Sequence, residues 1–127
     1  MKIRTTHNSI RYRLRKSELE ALKSTRQVIE SISFPNGVEL RSALLVSDGV
    51  DNCQVSFDDG TISITLSTGL ASQWINTNQV SIEHEIALAD GDQLHILIEK
   101  DFPCLDRPNE DKSDTFWELA DKPADSC

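Results

Sequence analysis

From residue 38 to residue 98 the chain repeats one pattern: a short run of alternating apolar and polar residues, then a cluster of Gly with Asn, Asp, Pro or Ser. Alternation of period two turns one face of an extended chain to a core and the other to water. Val38, Leu40, Ser42, Leu44 and Val46 share one parity, and Cys53, Val55 and Phe57 form a shorter run. Ile62, Ile64 and Leu66 alternate with Thr61, Ser63, Thr65 and Ser67. Val80, Ile82, His84, Ile86 and Leu88 give a further strand, with Leu94, Ile96 and Ile98 as its return partner. At the breaks Pro35-Asn36-Gly37, Ser47-Asp48-Gly49, Asp58-Asp59-Gly60 and Asp90-Gly91-Asp92, Gly supplies positive φ, and Asn or Asp bonds back to the nearby backbone. They read as hairpin connections. Hairpins in succession predict a single meander sheet of seven or eight strands, rolled into a barrel-like or sandwich form.

Two short helices interrupt this pattern. Ser17 followed by Glu20 has the spacing of a capping box, after which Leu19 and Leu22 face the core. A second helix starts near Thr68 and carries Leu70, Ala71, Trp74 and Ile75 on one face, which predicts a buried Trp74 at an end of the sheet. The expected class is α+β, predominantly antiparallel β, and the sequence contains no recognisable internal repeat or heptad seam. With 127 residues, 38% of them apolar, the chain suffices for one core. The expected organisation is a β-rich domain over 1–102 and an acidic C-terminal extension over 103–127, marked by Pro103, Pro108 and Pro123. Phe102, Cys104 and Leu105 are expected to anchor the extension, and the adjacent Phe116 and Trp117 to dock in a groove.

Charge limits the partners. The net charge of −8 disfavours nucleic acid and anionic membrane, no run approaches the ~20 apolar residues of a spanning helix, and residues 1–7 lack the apolar stretch of a secretion signal. A cytoplasmic location is expected. The balance is uneven: residues 1–26 carry +6, residues 27–100 carry −9 and residues 101–127 carry −5. Internal pairing of the cationic start with the acidic remainder follows from ordinary strand neighbours. Cys53, Cys104 and Cys127 form neither a disulfide set nor a CxxC pair.

Three constellations carry chemistry. Arg11, Arg13 and Arg15 share a parity opposite Ile10, Tyr12 and Leu14, so a strand here presents three guanidinium groups in a row. Such forks suit phosphate or carboxylate. The arrangement has a loose likeness to triphosphate-binding tunnel enzymes, with Glu83 and Glu85 as possible Mg²⁺ ligands, although the Glu-x-Glu-x-Lys strand of those enzymes is absent. The ordinary reading is a charged outer face of paired strands. Cys104 is a candidate nucleophile or soft ligand only if His7, His84 or His95 approaches it, and the ordinary reading is a small buried residue pinning the tail. The acidic tail lacks the Gly and the oxygen spacing of a calcium loop. No metal site and no cofactor is expected from these residues.

The ends of the chain carry a resemblance. Met1-Lys2-Ile3-Arg4, Asn8-Ser9-Ile10-Arg11, Arg13-Leu14 and Ser17-Glu18, with Leu97-Ile98-Glu99-Lys100-Asp101-Phe102 and Cys104-Leu105-Asp106, resemble a family of small uncharacterised bacterial proteins. The resemblance implies one domain and a bacterial cytoplasmic origin, and supplies no site residues. A Gly common in that family where this chain has His7 argues against His7 as a required catalyst. The expected function is therefore a cytoplasmic binding or interaction module without a complete catalytic set. The alternative is a protein or enzyme that binds a small phosphate or carboxylate anion through the Arg11, Arg13 and Arg15 strand, beside Glu83, Glu85 and Cys104.

Overall fold

The computed structural model describes residues 1–101. The expected anchoring by Phe102, Cys104 and Leu105 and the docking of Phe116 and Trp117 lie outside the described residues. Eight strands and two helices follow one another as β1 (Lys2–Thr6), β2 (Ser9–Leu14), α1 (Lys16–Thr25), β3 (Gln27–Ser33) and β4 (Glu39–Ser47), then β5 (Cys53–Asp58), β6 (Thr61–Ser67), α2 (Thr68–Asn76), β7 (Ser81–Ala87) and β8 (Gln93–Lys100). The class is α+β and mostly strand. The single meander is corrected: the strands form two four-stranded sheets, ordered β1-β2-β8-β7 and β3-β4-β6-β5, and no barrel closes among the described residues. Each sheet is mixed, because β2 runs parallel to β8 and β4 parallel to β6.

The physical reason lies in the helices. A hairpin signal identifies only the neighbour across a tight turn, whereas α1 and α2 carry the chain from one sheet to the other after β2 and β6. The Ser47-Asp48-Gly49 break is accordingly no hairpin: it leads from β4 to β5, which are separated in their sheet by β6.

The two halves share one topology. Residues 2–47 and 53–100 each run strand, strand, helix, strand, strand, and each sheet takes one hairpin from each half. The register agrees residue for residue. Tyr12 pairs with Ile3 and Ile98, and its counterpart Ile64 pairs with Val55 and Leu44. Hydrogen bonds agree as well: Phe34 N–H donates to the Val38 carbonyl and Leu88 N–H to that of Asp92, while Arg41 N–H donates to the Gly60 carbonyl and His95 N–H to that of Asn8. Gly60, at φ +72°, sits closer to its neighbour than its counterpart Asn8, at φ +50°: a Cβ at Gly60 would lie 2.9 Å from the Glu39 carbonyl. The repeat is hidden in the sequence because most equivalent positions keep at best apolar character, and identity survives only at scattered positions such as Ile10 and Ile62, Leu14 and Leu66, Gly37 and Gly91, or Leu40 and Leu94.

Both sheets and both helices contribute to one buried cluster, with Tyr12, Leu14, Leu44, Ile64, Leu66, Ile96 and Ile98 from the strands and Leu22, Ala71 and Trp74 from the helices. Trp74 is fully buried and its indole N–H donates to the Val80 carbonyl at 2.9 Å. Ser67 caps α2 by accepting from Leu70 N–H. In α1 the capping spacing expected at Ser17 and Glu20 falls two residues earlier, where the Glu18 carboxylate accepts from Arg15 N–H at 2.9 Å. Leu22 is buried and Leu19 packs against the cluster.

Tyr12 links the sheets through polar atoms. Its hydroxyl donates to the Ile62 carbonyl at 3.3 Å. Burial pushes its phenol up to about 12, with hydrogen bonds from Ser42 and the Ala43 backbone pulling the other way. In the other half the positions of Tyr12 and Ser42 hold Ile64 and Ile96.

Candidate functional site

Two surfaces arise from this fold. The first is the outer face of the β1-β2-β8-β7 sheet, where the odd parity of β2 points away from the core. Register sets three rows across it: Lys2, Arg13, Glu99 and Ser81; Arg4, Arg11, Leu97 and Glu83; and Thr6, Ser9, His95 and Glu85. The face is thus basic toward β1 and acidic toward β7.

Arg11 and Arg13 do not stand free on this face. Arg11 Nε donates to Glu99 Oε1 at 2.6 Å, its Nη2 also pairs with that oxygen, and Arg13 Nε lies 3.0 Å from it. The Glu99 carboxylate is almost completely buried beneath the two guanidinium groups. Arg13 Nη2 also faces Asp101 at 3.5 Å, and Lys2 Nζ lies 3.1 Å from the other oxygen of Asp101. The hydrogen bond from Lys2, supported by the fields of Lys2, Arg13 and Arg15, holds the Asp101 carboxyl below the usual carboxylate range. The third arginine leaves the row. β2 ends at Leu14, and Arg15, at the start of α1, extends an exposed side chain whose nearest carboxylate is Glu18 at 3.7 Å.

Glu83 and Glu85 flank a histidine: His95 Nε2 lies 3.1 Å from Glu83 and Nδ1 3.6 Å from Glu85. Among the described residues no group of three His, Cys, Asp or Glu side chains is placed to hold a metal ion. Cys104 lies outside the described residues. His84, at an apolar-parity position of β7, is half-buried, and Cys53 is a buried free thiol pushed up to about 11 by burial. Glu99 was not among the sequence candidates. Its contact with Arg11 and Arg13 depends on the parallel pairing of β2 with β8, across 88 residues for Arg11, and no local pattern announces such a pair.

The second surface lies where the core opens. All four central strands begin at one end of the molecule, next to the hairpin turns, while α1 and α2 follow the opposite ends of β2 and β6. Between these strand starts is a groove of about 310 Å³, lined by Ile10, Leu40, Val55, Phe57, Ile62 and Leu94. It combines equivalent positions from both halves, Ile10 with Ile62 and Leu40 with Leu94. On the wall contributed by β5, Phe57 remains 70% exposed, and on β3 Ile32, the partner of Leu40, is 56% exposed. Phe34 and Val38, in the adjoining turn, are also exposed. The sequence signal was present in Phe57, a large apolar residue directly before the Asp58-Asp59-Gly60 turn, where packing partners run out.

No helix among the described residues is long and apolar enough to cross a membrane. No curated protein and no solved structure matches the chain. A family model does: the chain belongs to a family of unknown function, DUF7009, whose model covers residues 1–119.

Proposed function

We propose that this member of a family of unknown function is a non-catalytic binding module, and that its ligand enters the apolar groove at the turn end. A bacterial, cytoplasmic setting, implied by the resemblance of the terminal blocks, belongs to the same proposal. The observation that carries the reading is the exposure of Phe57 beside a groove walled by both sheets. Covering a fully exposed side chain of this size contributes roughly 1.5–3 kcal/mol, and a concave, predominantly apolar lining such as this one is the usual form of a ligand site. A volume of about 310 Å³ lies at the small end for ligand pockets, suited to one or two side chains or one compact aromatic molecule.

The anion alternative has less support. Arg11 and Arg13 already share the Glu99 carboxylate, and an entering phosphate would have to displace that buried partner. The test uses N-phenyl-1-naphthylamine, a neutral probe that fluoresces in apolar surroundings. One saturable site per chain is expected, weakened at least fivefold in Phe57→Ser with an unchanged melting temperature. Absence of saturable binding, or equal binding by the variant, would overturn the reading.

A further inference from the structure

The charges around the groove narrow what can occupy it. Most of the lining residues stand within two positions of a hairpin turn: Ile10 follows Asn8 by two, Leu40 follows Glu39, Phe57 precedes Asp58, Ile62 follows Gly60 by two, and Leu94 follows Asp92 by two. The four turns with their flanking strand ends, residues 6–9, 33–39, 58–61 and 87–93, hold Glu39, Asp58, Asp59, Asp90 and Asp92, with neither Lys nor Arg. All five acids are exposed. Arg41 stands nearest along β4, and its Nη2 is held by Glu39 at 3.1 Å, which leaves four carboxylates facing solvent around an apolar opening. His7 is the one ionisable cation-former in these turns.

We infer that the groove receives a cationic amphipathic peptide segment of a partner protein, with one or two apolar side chains seated against Phe57, Leu40 and Leu94 and Lys or Arg flanks facing Asp58, Asp59, Asp90 and Asp92. This inference rests on the groove reading above and names its occupant. Charge complementarity selects that occupant, because exposed carboxylates within about one Debye length, ~10 Å at 0.1 M salt, raise the local concentration of cations and exclude like charge. Two competing occupants meet repulsion: residues 101–127 carry −5, and a second copy of the chain carries −8. The shape agrees. The groove is too small for an elongated ligand, while Ile32, Phe34 and Val38 extend the apolar surface beside it for a segment with spaced anchors.

The experiment uses the full chain and fluorescein-labelled 14-residue probes. An amphipathic Leu/Lys peptide is compared with a Leu/Glu peptide of the same pattern and with a Ser/Lys peptide of the same charge. The Leu/Lys probe is expected to bind at least tenfold more tightly than either. Phe57→Ser should weaken it about tenfold, and the triple variant D58N/D59N/D92N severalfold with a shallower dependence on salt. Asparagine tolerates the positive φ of Asp59 at 50°, so the triple variant retains its turn geometry, which an unchanged melting temperature checks. Equal affinity for the Leu/Glu peptide overturns the inference. So does Leu/Lys binding that ignores Phe57→Ser, which is attraction to the acidic protein as a whole. If the neutral naphthylamine probe binds in a Phe57-dependent manner and the Leu/Lys peptide does not, the cationic occupant falls and the groove stands. If neither binds, both fall.

Discussion

Replacing Glu99 by Gln tests the account of the basic face most directly. The Glu99 side chain is 8% exposed, and the Arg11 and Arg13 side chains that share its Oε1 are 16% and 12% exposed. Gln is nearly isosteric and keeps one acceptor oxygen, so the change removes the negative charge and little packing. Breaking a buried ion pair from one side typically costs about 3–5 kcal/mol, because the remaining charge is left without compensation. The retained acceptor and the nearby Asp101 offset part of this, so the expected loss is about 2–4 kcal/mol. With a urea m-value of about 1–3 kcal/mol per molar, the midpoint should fall by roughly 1–2 M. Phosphate or sulfate added to the variant should restore part of the loss, since an anion bound only by the folded state stabilises it in proportion to RT ln(1 + [L]/Kd). The wild type should show no comparable gain. A destabilisation below about 1 kcal/mol would mean that the pair behaves as a solvated surface bridge, and the assignment of Glu99 as the buried partner of the arginine row would be refuted.

Two further outcomes follow from the core. Trp74→Ala removes a fully buried ring and its hydrogen bond to the Val80 carbonyl, which keeps only the Lys100 N–H, and should cost about 3–5 kcal/mol, or roughly 15–30 °C in Tm for a domain of this size; a thermal melt like that of the wild type would take α2 out of the core. Because burial raises the Tyr12 phenol from 10 to about 12, the folded state retains its proton where the unfolded state releases it, so stability is complete below pH 10 and falls as pH rises toward 12. The fall amounts to about 2–3 kcal/mol in total. The stability difference between wild type and Tyr12→Phe should shrink across that window, the Cys53 thiol titrating in both proteins and cancelling; a difference independent of pH would refute the burial of the phenol.

What the sequence determined was local. Alternation placed Leu44, Ile64, Leu66, Ile82, Ile96 and Ile98 on the buried faces of strands, and helical spacing placed Trp74 inward, because side-chain direction follows from backbone geometry within a few residues. The turns at Pro35-Asn36-Gly37, Asp58-Asp59-Gly60 and Asp90-Gly91-Asp92 were legible for the same reason. The parallel pairings of β2 with β8 and β4 with β6 were not, and with them went the division into two sheets, the hidden repeat and the burial of Glu99. The arginine row was visible as a pattern, but its state depended on a strand some 88 residues away. The groove was decided in the same way. Phe57 and Leu94 read as ordinary core residues, and only the meeting of the strand starts from both sheets shows that the apolar layer there lacks a cover. A periodic pattern specifies which side of a strand seeks burial, whereas the partner that buries it is chosen by contacts between distant segments that no window of sequence contains.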